Sequence, residues 1–250
     1  MPTVIVTGAA GAVGSATVRE LEQRGARVIA LTRNEVDLSS IASVRNAARE
    51  LNRSAGHIDA LLNVAAVFTT RYQKSKDGYE LMLATNHLGP FLLTNLLRER
   101  LTGGGRVITV AAPSTTRVDL DRMLDRDRFN AMYSFGASKA LNLMFTLELA
   151  RRAGRWDVRA NAFHPGLVRS ELMREAPGPV RNLARLFSRE PERAAQDLAD
   201  LAVSPAHAGT TGWLFKGARR IDPPRTVQDP VQQETLWKRS AELTDLEGGF

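Results

Sequence analysis

The stretch Asn130–Asn142 reads NAMYSFGASKALN and places Phe135 four residues before Lys139. This is the frame of a catalytic signature, Y-x-x-x-K, with a phenylalanine at the place of the tyrosine hydroxyl. A phenyl ring neither gives nor takes a proton, so it cannot do the acid–base work such a frame supports. The run is either the remains of an active site or the sign of a different chemistry. Other chemistries have little support. His57, His87, His164 and His207 are dispersed, with no pair at i, i+4 and no acidic partner in a metal pattern, so no metal site is expected. There is no G-x-S-x-G elbow for acyl transfer. With no cysteine, thiolate chemistry and disulfides are excluded.

A second chemistry-bearing stretch is TGAAGAVG, Thr7–Gly14, between an apolar strand-like run and a helical one. A glycine-rich turn there lets backbone approach a pyrophosphate, while the helix N-terminus supplies N–H donors and a positive dipole. Gly8, Gly11 and Gly14 fit that task. The following strand ends ALTRN, Ala30–Asn34. A carboxylate at this point would accept hydrogen bonds from the ribose hydroxyls of NAD and repel a 2′-phosphate. Thr32 and Arg33 instead offer a hydroxyl and a guanidinium suited to a phosphate dianion. The expected cofactor is therefore NADP(H). The bland alternative for Arg33 is a surface charge after a strand.

These residues need an α/β frame. Short apolar runs alternate with longer helical stretches, which argues for a parallel sheet in a doubly wound, Rossmann-like single domain. Strands are expected at Thr3–Thr7, Arg27–Leu31, Ile58–Asn63, Arg106–Val110, Val158–Phe163 and Trp213–Phe215. Helices are expected at Ala12–Gln23, Ser40–Asn52, Asp77–Arg100 and Ser134–Ala153, with Ser39 or Ser40 capping the second. A further helix is expected within 229–246. The apolar face of NLMFTLELA, Asn142–Ala150, reads as core or dimer contact.

Composition bounds the rest. The chain has 250 residues, is 43% hydrophobic and carries a net charge of +7. That is enough to bury one core. The arginines are scattered, and no recognition motif accompanies the charge, so it reads as a solvated basic surface rather than a nucleic-acid footprint. The apolar runs are too short to span a bilayer. The N-terminus shows no charged region or cleavage site, and a reducing cytoplasm is the simplest home.

The stretches VDLSSIASVRNAAREL (Val36–Leu51), DGYELMLATNHLGPFLLTNLL (Asp77–Leu97), FHPGLVRSEL (Phe163–Leu172) and LWKRSAELTDL (Leu236–Leu246) resemble the short-chain dehydrogenase/reductase family in its retinol-dehydrogenase-like branch. The likeness covers nearly the whole chain. It implies cofactor contacts from Gly8, Gly11, Ala12, Val13 and Gly14, and from Thr32, Arg33, Asp37 and Leu38 near the adenosine. Asn63 and Ala65 would line the cleft, and Lys139 would bind the ribose. Pro165, Gly166, Val168 and Ser170 would flank the nicotinamide, with a substrate lid over 171–190. Asn86 would match the active-site asparagine. A homodimer through the helices near Asp77–Arg100 and Ser134–Ala153 is a further implication.

Departures from the family pattern are as informative. Ala12 stands where the glycine loop usually has a glycine, and N-N-A-G is NVAA at Asn63–Ala66. Only Asn34, Glu35 and Val36 separate Arg33 from Asp37, where relatives carry a helix and most of a strand; that strand would lie at the sheet edge. RVITVAAPSTT, Arg106–Thr116, resembles the strand ending in V-S-S, so Ala111 and Ala112 stand at the serines, and Phe135 at the tyrosine. In relatives the tyrosine exchanges a proton with the substrate oxygen, the lysine lowers its pKa and the serine hydrogen-bonds the same oxygen. Ser114, two residues past Ala112, would point to the same side of an extended strand end. Tyr133 would be turned away from the face of Phe135 if the helix already includes it. Phe135 and Ala112 could simply pack together as a dry wall.

Three functions compete. One is an NADP(H)-dependent oxidoreductase acting on an apolar small molecule whose acceptor is already activated, such as an iminium ion or a conjugated enone. Another is a non-redox cyclase, dehydratase or isomerase on the same fold, of the kind found in secondary metabolism. The third is a binding module that senses NADP(H).

Overall fold

The computed structural model describes residues 1–166, 168 and 190–250. The sheet is built from β1 (Thr3–Thr7), β2 (Arg27–Leu31), β3 (Ala60–Asn63), β4 (Arg106–Val110), β5 (Arg159–His164), β6 (Leu214–Lys216) and β7 (Arg219–Ile221). Their order is β2-β1-β3-β4-β5-β6-β7, parallel throughout except for the final β6–β7 hairpin. Around it lie α1 (Ala12–Gln23), α2 (Ile41–Ser54), α3 (Leu81–Leu83), α4 (Gly89–Leu96), α5 (Arg98–Leu101), α6 (Leu120–Leu124), α7 (Ala131–Ala153), α8 (Pro191–Val203) and α9 (Pro230–Leu243). This is a doubly wound, Rossmann-like single domain.

Strand chemistry follows position in the sheet. β1, between two parallel neighbours and two helical layers, is buried at every residue, with apolar Val4, Ile5 and Val6 between two threonines. β2 has a neighbour on one side only and is half exposed, starting with Arg27. Among the described residues no strand lies outside it, as the short Arg33–Asp37 connection implies. One core layer is formed by Ile5, Leu61, Val107, Phe91, Leu97, Phe145 and Trp237. The other is formed by Val4, Val6, Leu62, Ile108, Phe163, Leu198 and Phe215.

Several expected boundaries move, each for a local reason. The third strand starts at Ala60 rather than Ile58, because the Ile58 N–H bonds to the Arg100 carbonyl. The helix expected from Ser134 starts at Ala131, because the Asn130 side chain accepts the Tyr133 N–H at 2.9 Å as an N-cap. Ser40, not Ser39, caps α2 through the Ser43 N–H. The single helix expected over Asp77–Arg100 is broken. Pro90 has no N–H to give the Asn86 carbonyl four residues back, and the turn Ala84–Leu88 is a π-helix whose ladder shifts, Gly89 N–H bonding to Ala84 O. α8 and β7 have no counterpart among the expected elements. α8 buries alanines (Ala194, Ala195, Ala199, Ala202) with two leucines, a weak apolar signal, and β7 (Arg-Arg-Ile) has none.

The helix expected within 229–246 is α9, and it covers α4 and α7. Trp237 packs edge-on to Phe91 with centroids 5.0 Å apart, and stacks on Phe145 at 5.8 Å. His87 Nε2 meets Ser240 Oγ at 2.9 Å. A homodimer pairing through this face of α4 and α7 would first have to displace α9.

Candidate functional site

The strand order reverses at β1, whose neighbours are β2 on one side and β3 on the other. Ligands of open α/β sheets bind in the crevice outside the carboxyl ends of strands at such a switch point. A cleft of about 550 Å³ opens there, bounded by the glycine loop, the turn after β2, the segment after β3, and Leu81 with Thr85.

The glycines at 8 and 14 answer a close approach. Gly8 has φ +68°, and a Cβ on it would lie 2.7 Å from Ala65 Cα; a Cβ on Gly14 would lie 2.1 Å from the Gly8 carbonyl oxygen. The loop is therefore pressed onto both the post-β3 segment and its own helix. α1 starts at Ala12 with no side-chain cap on Gly11, so the first-turn N–H groups of Ala12, Val13 and Gly14 have no intrahelical acceptor. They border the cleft and could hold an anion. Thr7 tightens the same wall. Its hydroxyl donates to Leu62 O at 3.3 Å and accepts from Val64 N at 3.0 Å and Ala65 N at 3.3 Å.

Thr32, Arg33, Asp37 and Leu38 also line the cleft, as do Gly11 and Ala65. Asp37 Oδ1 accepts from Ser39 N at 3.1 Å and Ser39 Oγ at 2.6 Å. Burial pushes this carboxyl up, but the Ser39 hydrogen bonds and the charges of Arg33 and Lys76 outweigh it and hold it below the ordinary range. Asn63 does not reach the cleft. It is buried, donating through Nδ2 to Thr94 Oγ1 at 3.1 Å, and so sits beneath the wall. Pro165 and Gly166 follow β5 half-buried, and Val168 packs against the core layer of Val4 and Val6. Ser170 and the expected lid, apart from Glu190, lie outside the described residues.

Behind Val67 and Phe68 of the cleft wall the second constellation assembles. Asn86 rides on the π-turn, fully buried. Its Oδ1 accepts from Val67 N at 2.8 Å, and its Nδ2 donates to Val67 O at 3.0 Å and Ser138 Oγ at 3.1 Å. Ser138 in turn donates to Phe135 O at 2.8 Å. Lys139 is buried with Nζ 5.5 Å from the Phe135 ring centroid, and burial pushes its amine down to about 8. Phe135 stands edge-on to Phe68, centroids 5.5 Å apart, within an apolar cluster that includes Met82 and Phe129. Phe68 also lines the cleft.

The substitute hydroxyls behave differently from a simple strand reading. β4 ends at Val110, and Ser114 N bonds to Ala112 O at 2.6 Å, an i to i+2 fold that breaks the alternation expected to bring Ser114 and Ala112 to one side. Ser114 reaches α7 by another route. A Cβ on Gly136 would lie 2.5 Å from Thr116 Oγ1 and 3.5 Å from Ser114 Oγ, so glycine lets both hydroxyls close on the turn that carries Phe135. Tyr133 is inside the helix; its hydroxyl accepts from Asp119 N at 3.0 Å and donates to Arg117 O at 3.2 Å, away from this constellation.

Sequence reasoning missed Thr7, Phe68 and Ser138. Ser138 was one residue from Lys139, and Thr7 stood at the strand end before the glycine loop. Nothing local marks Phe68, which meets Phe135 only in the fold. Among the described residues no group of His, Asp and Glu could hold a metal ion, and no helix is long and apolar enough to cross a membrane.

Residues 4–212 match a family model described as enoyl-(acyl carrier protein) reductase. Human retinol dehydrogenase 13 is 32% identical over 98% of this chain and 85% of its own length. A Streptomyces sp. (strain C5) protein named as a daunorubicin C-13 ketoreductase, DnrU, is 32% identical over 96% of this chain and 91% of its own. A crystal structure from Mycobacterium paratuberculosis covers all of this chain and 96% of its own, at 30% identity and a TM-score of 0.82. The 3-alpha-hydroxysteroid dehydrogenase of Pseudomonas sp. B-0831, solved with NADH, shares the fold at 22% identity, TM-score 0.73, over 86% of this chain and 94% of its own. With a cradle at the switch point of a doubly wound sheet and similarity along its full length, this chain belongs to the short-chain dehydrogenase/reductase family.

Proposed function

We propose that this protein is an NADP(H)-dependent oxidoreductase for an apolar small molecule with a pre-activated acceptor. The observation that carries this reading is the setting of Phe135. It sits four residues before Lys139 and packs on the Phe68–Met82 cluster; the resemblance puts the family's proton-donating tyrosine at this position. The residues around the cleft fit a dinucleotide: a glycine loop packed too closely on Ala65 and on its own helix for a Cβ at Gly8 or Gly14, open N–H groups at the start of α1, and Thr32 and Arg33 at the ribose end. A nicotinamide cofactor bound there would supply hydride. Ala12, Val13 and Gly14 would hold its pyrophosphate, Thr32 and Arg33 its 2′-phosphate, and Lys139 its nicotinamide ribose.

The chain's own groups then set the limits of the chemistry. A positioned acid is worth about 10²–10⁴ in rate, and phenylalanine and alanine forgo it. An iminium ion becomes a neutral amine on taking hydride and needs no such acid; a conjugated enone takes hydride at its β-carbon to give a delocalised enolate, which then takes its proton from solvent. The Phe68–Phe135 pair presents an apolar wall to it. The test is NADPH oxidation, followed by absorbance, with cyclic iminium salts and conjugated enones against simple ketones. Turnover of the activated acceptors alone supports the reading. Equal turnover of simple ketones, or none of any acceptor by a protein that binds NADPH, sinks it.

One observation favours a second reading, a non-redox cyclase, dehydratase or isomerase. Lys139 is buried at an apolar wall with its amine pushed down to about 8, so a minority of neutral amine, larger at mildly alkaline pH, is available as a base. Product formation that persists after cofactor is stripped would select this reading over the first.

A further inference from the structure

The connection from β2 to α2 occupies only Thr32–Ser40 and is folded into two successive turns, Val36 N bonding to Thr32 O at 3.0 Å and Ser40 N to Asp37 O at 3.0 Å. The first turn swings Glu35 back over Thr32. One carboxylate oxygen, Oε2, accepts from Thr32 N at 2.8 Å and from Thr32 Oγ1 at 2.6 Å. Asn34 N completes the threonine hydroxyl from the other side at 3.2 Å. Both of the donors that Thr32 could offer a ligand are thus directed at an anion belonging to the chain itself. Arg33, exposed on the cleft wall beside them, supplies positive charge to the same place.

We propose that Glu35 is a specificity-determining residue whose carboxylate occupies the anion subsite at Thr32 and so lowers the preference for NADPH over NADH that Thr32 and Arg33 would otherwise confer. The inference rests on the proposed reading that this wall receives the adenosine ribose. A 2′-phosphate dianion must displace the carboxylate to reach the Thr32 donors, and it then meets a like charge on the same turn. A 2′-hydroxyl faces no such contest: it can donate to the carboxylate where it lies. Glu35 is exposed and unburdened by packing, so it is free to serve as this internal competitor. Its hydrogen bonds to Thr32 hold the carboxyl below the ordinary range, keeping it charged at neutral pH.

The experiment is calorimetric titration of the full chain, as wild type, Glu35→Ala, Glu35→Gln and Arg33→Ala, with two ligand pairs that differ by the 2′-phosphate alone: NADPH against NADH, and adenosine 2′,5′-bisphosphate against adenosine 5′-monophosphate. Glu35→Ala is expected to tighten NADPH and the bisphosphate about tenfold, the scale of one charge-assisted hydrogen bond. NADH and the monophosphate should be unchanged or weaker. Glu35→Gln should give the same direction, and thermal unfolding should be unaltered. Equal gains for both members of a pair, or no gain, overturn the role of Glu35 while leaving the NADP(H) reading intact if wild type still favours the 2′-phosphate. Indifference of every protein, Arg33→Ala included, to the 2′-phosphate overturns the reading and the inference together.

Discussion

At the residue scale the decisive position is 135. A hydroxyl there would lie near the Lys139 ammonium, which sits 5.5 Å from the present ring centroid and would stabilise a phenolate. Phe135→Tyr combined with Ala112→Ser is therefore expected to create or raise reduction of simple ketones, by about 10² or more. A folded, NADPH-binding double variant without that gain would contradict the placement of both residues. Gly14 offers a sharper structural test. A Cβ there meets the Gly8 carbonyl oxygen at 2.1 Å, so Gly14→Ala must push α1 off the loop. Overpacking of this kind costs about 1–3 kcal/mol. Dinucleotide binding should fall with it, whereas Gly154→Ala, at a helical φ with nothing nearby, should leave binding as it was.

At the element scale, α9 and the start of α7 matter most. Trp237 is the ring through which α9 holds Phe91 of α4 and Phe145 of α7, and its loss should cost about 3–5 kcal/mol in urea unfolding. A smaller loss would mean that α9 is a peripheral appendage. The Asn130 cap fixes the first turn of α7, three residues ahead of the start that the apolar pattern suggests. Asn130→Ala should cost about 1 kcal/mol and loosen the backbone that carries Phe135. The elements easiest to foresee were β1, β2, β4 and α1, which fall at their expected bounds because short apolar strand runs and a helix that follows a glycine loop announce themselves locally. The broken helix over Asp77–Arg100 was signalled by Pro90 alone, and the side on which Asn86 emerges depends on the shifted ladder.

At the scale of the whole molecule, the buried His87 couples stability to pH. Enclosed by Phe91, Phe145 and Ser240, it is pushed down from 6.5 to about 4 by burial. The unfolded chain binds this proton more readily, so the contribution is complete above about pH 6.5 and is lost as pH falls toward 4. The loss is on the order of 3 kcal/mol. Urea unfolding at pH 7 and pH 4.5 should show wild type losing more stability than His87→Gln; equal losses would remove His87 as the cause.

What the sequence determined by itself is the part encoded in neighbours: alternation of apolar strands with helices, a glycine loop placed after the first strand, a lysine frame lacking its hydroxyl, and membership of a family recognised from long ordered matches. These signals depend on spacing within a dozen residues, and local backbone geometry respects them. Only the tertiary structure decided which distant groups meet. Phe68 closes on Phe135, α9 settles over α4 and α7, Ser114 reaches α7 through Gly136, and Asn63 sinks beneath the cleft to bond Thr94. Even Glu35, three residues from Thr32, took its place because β2, with no outer neighbour among the described residues, leaves its following turn free to fold back on itself. Contacts of that kind arise from packing in three dimensions, and no period along the chain records them.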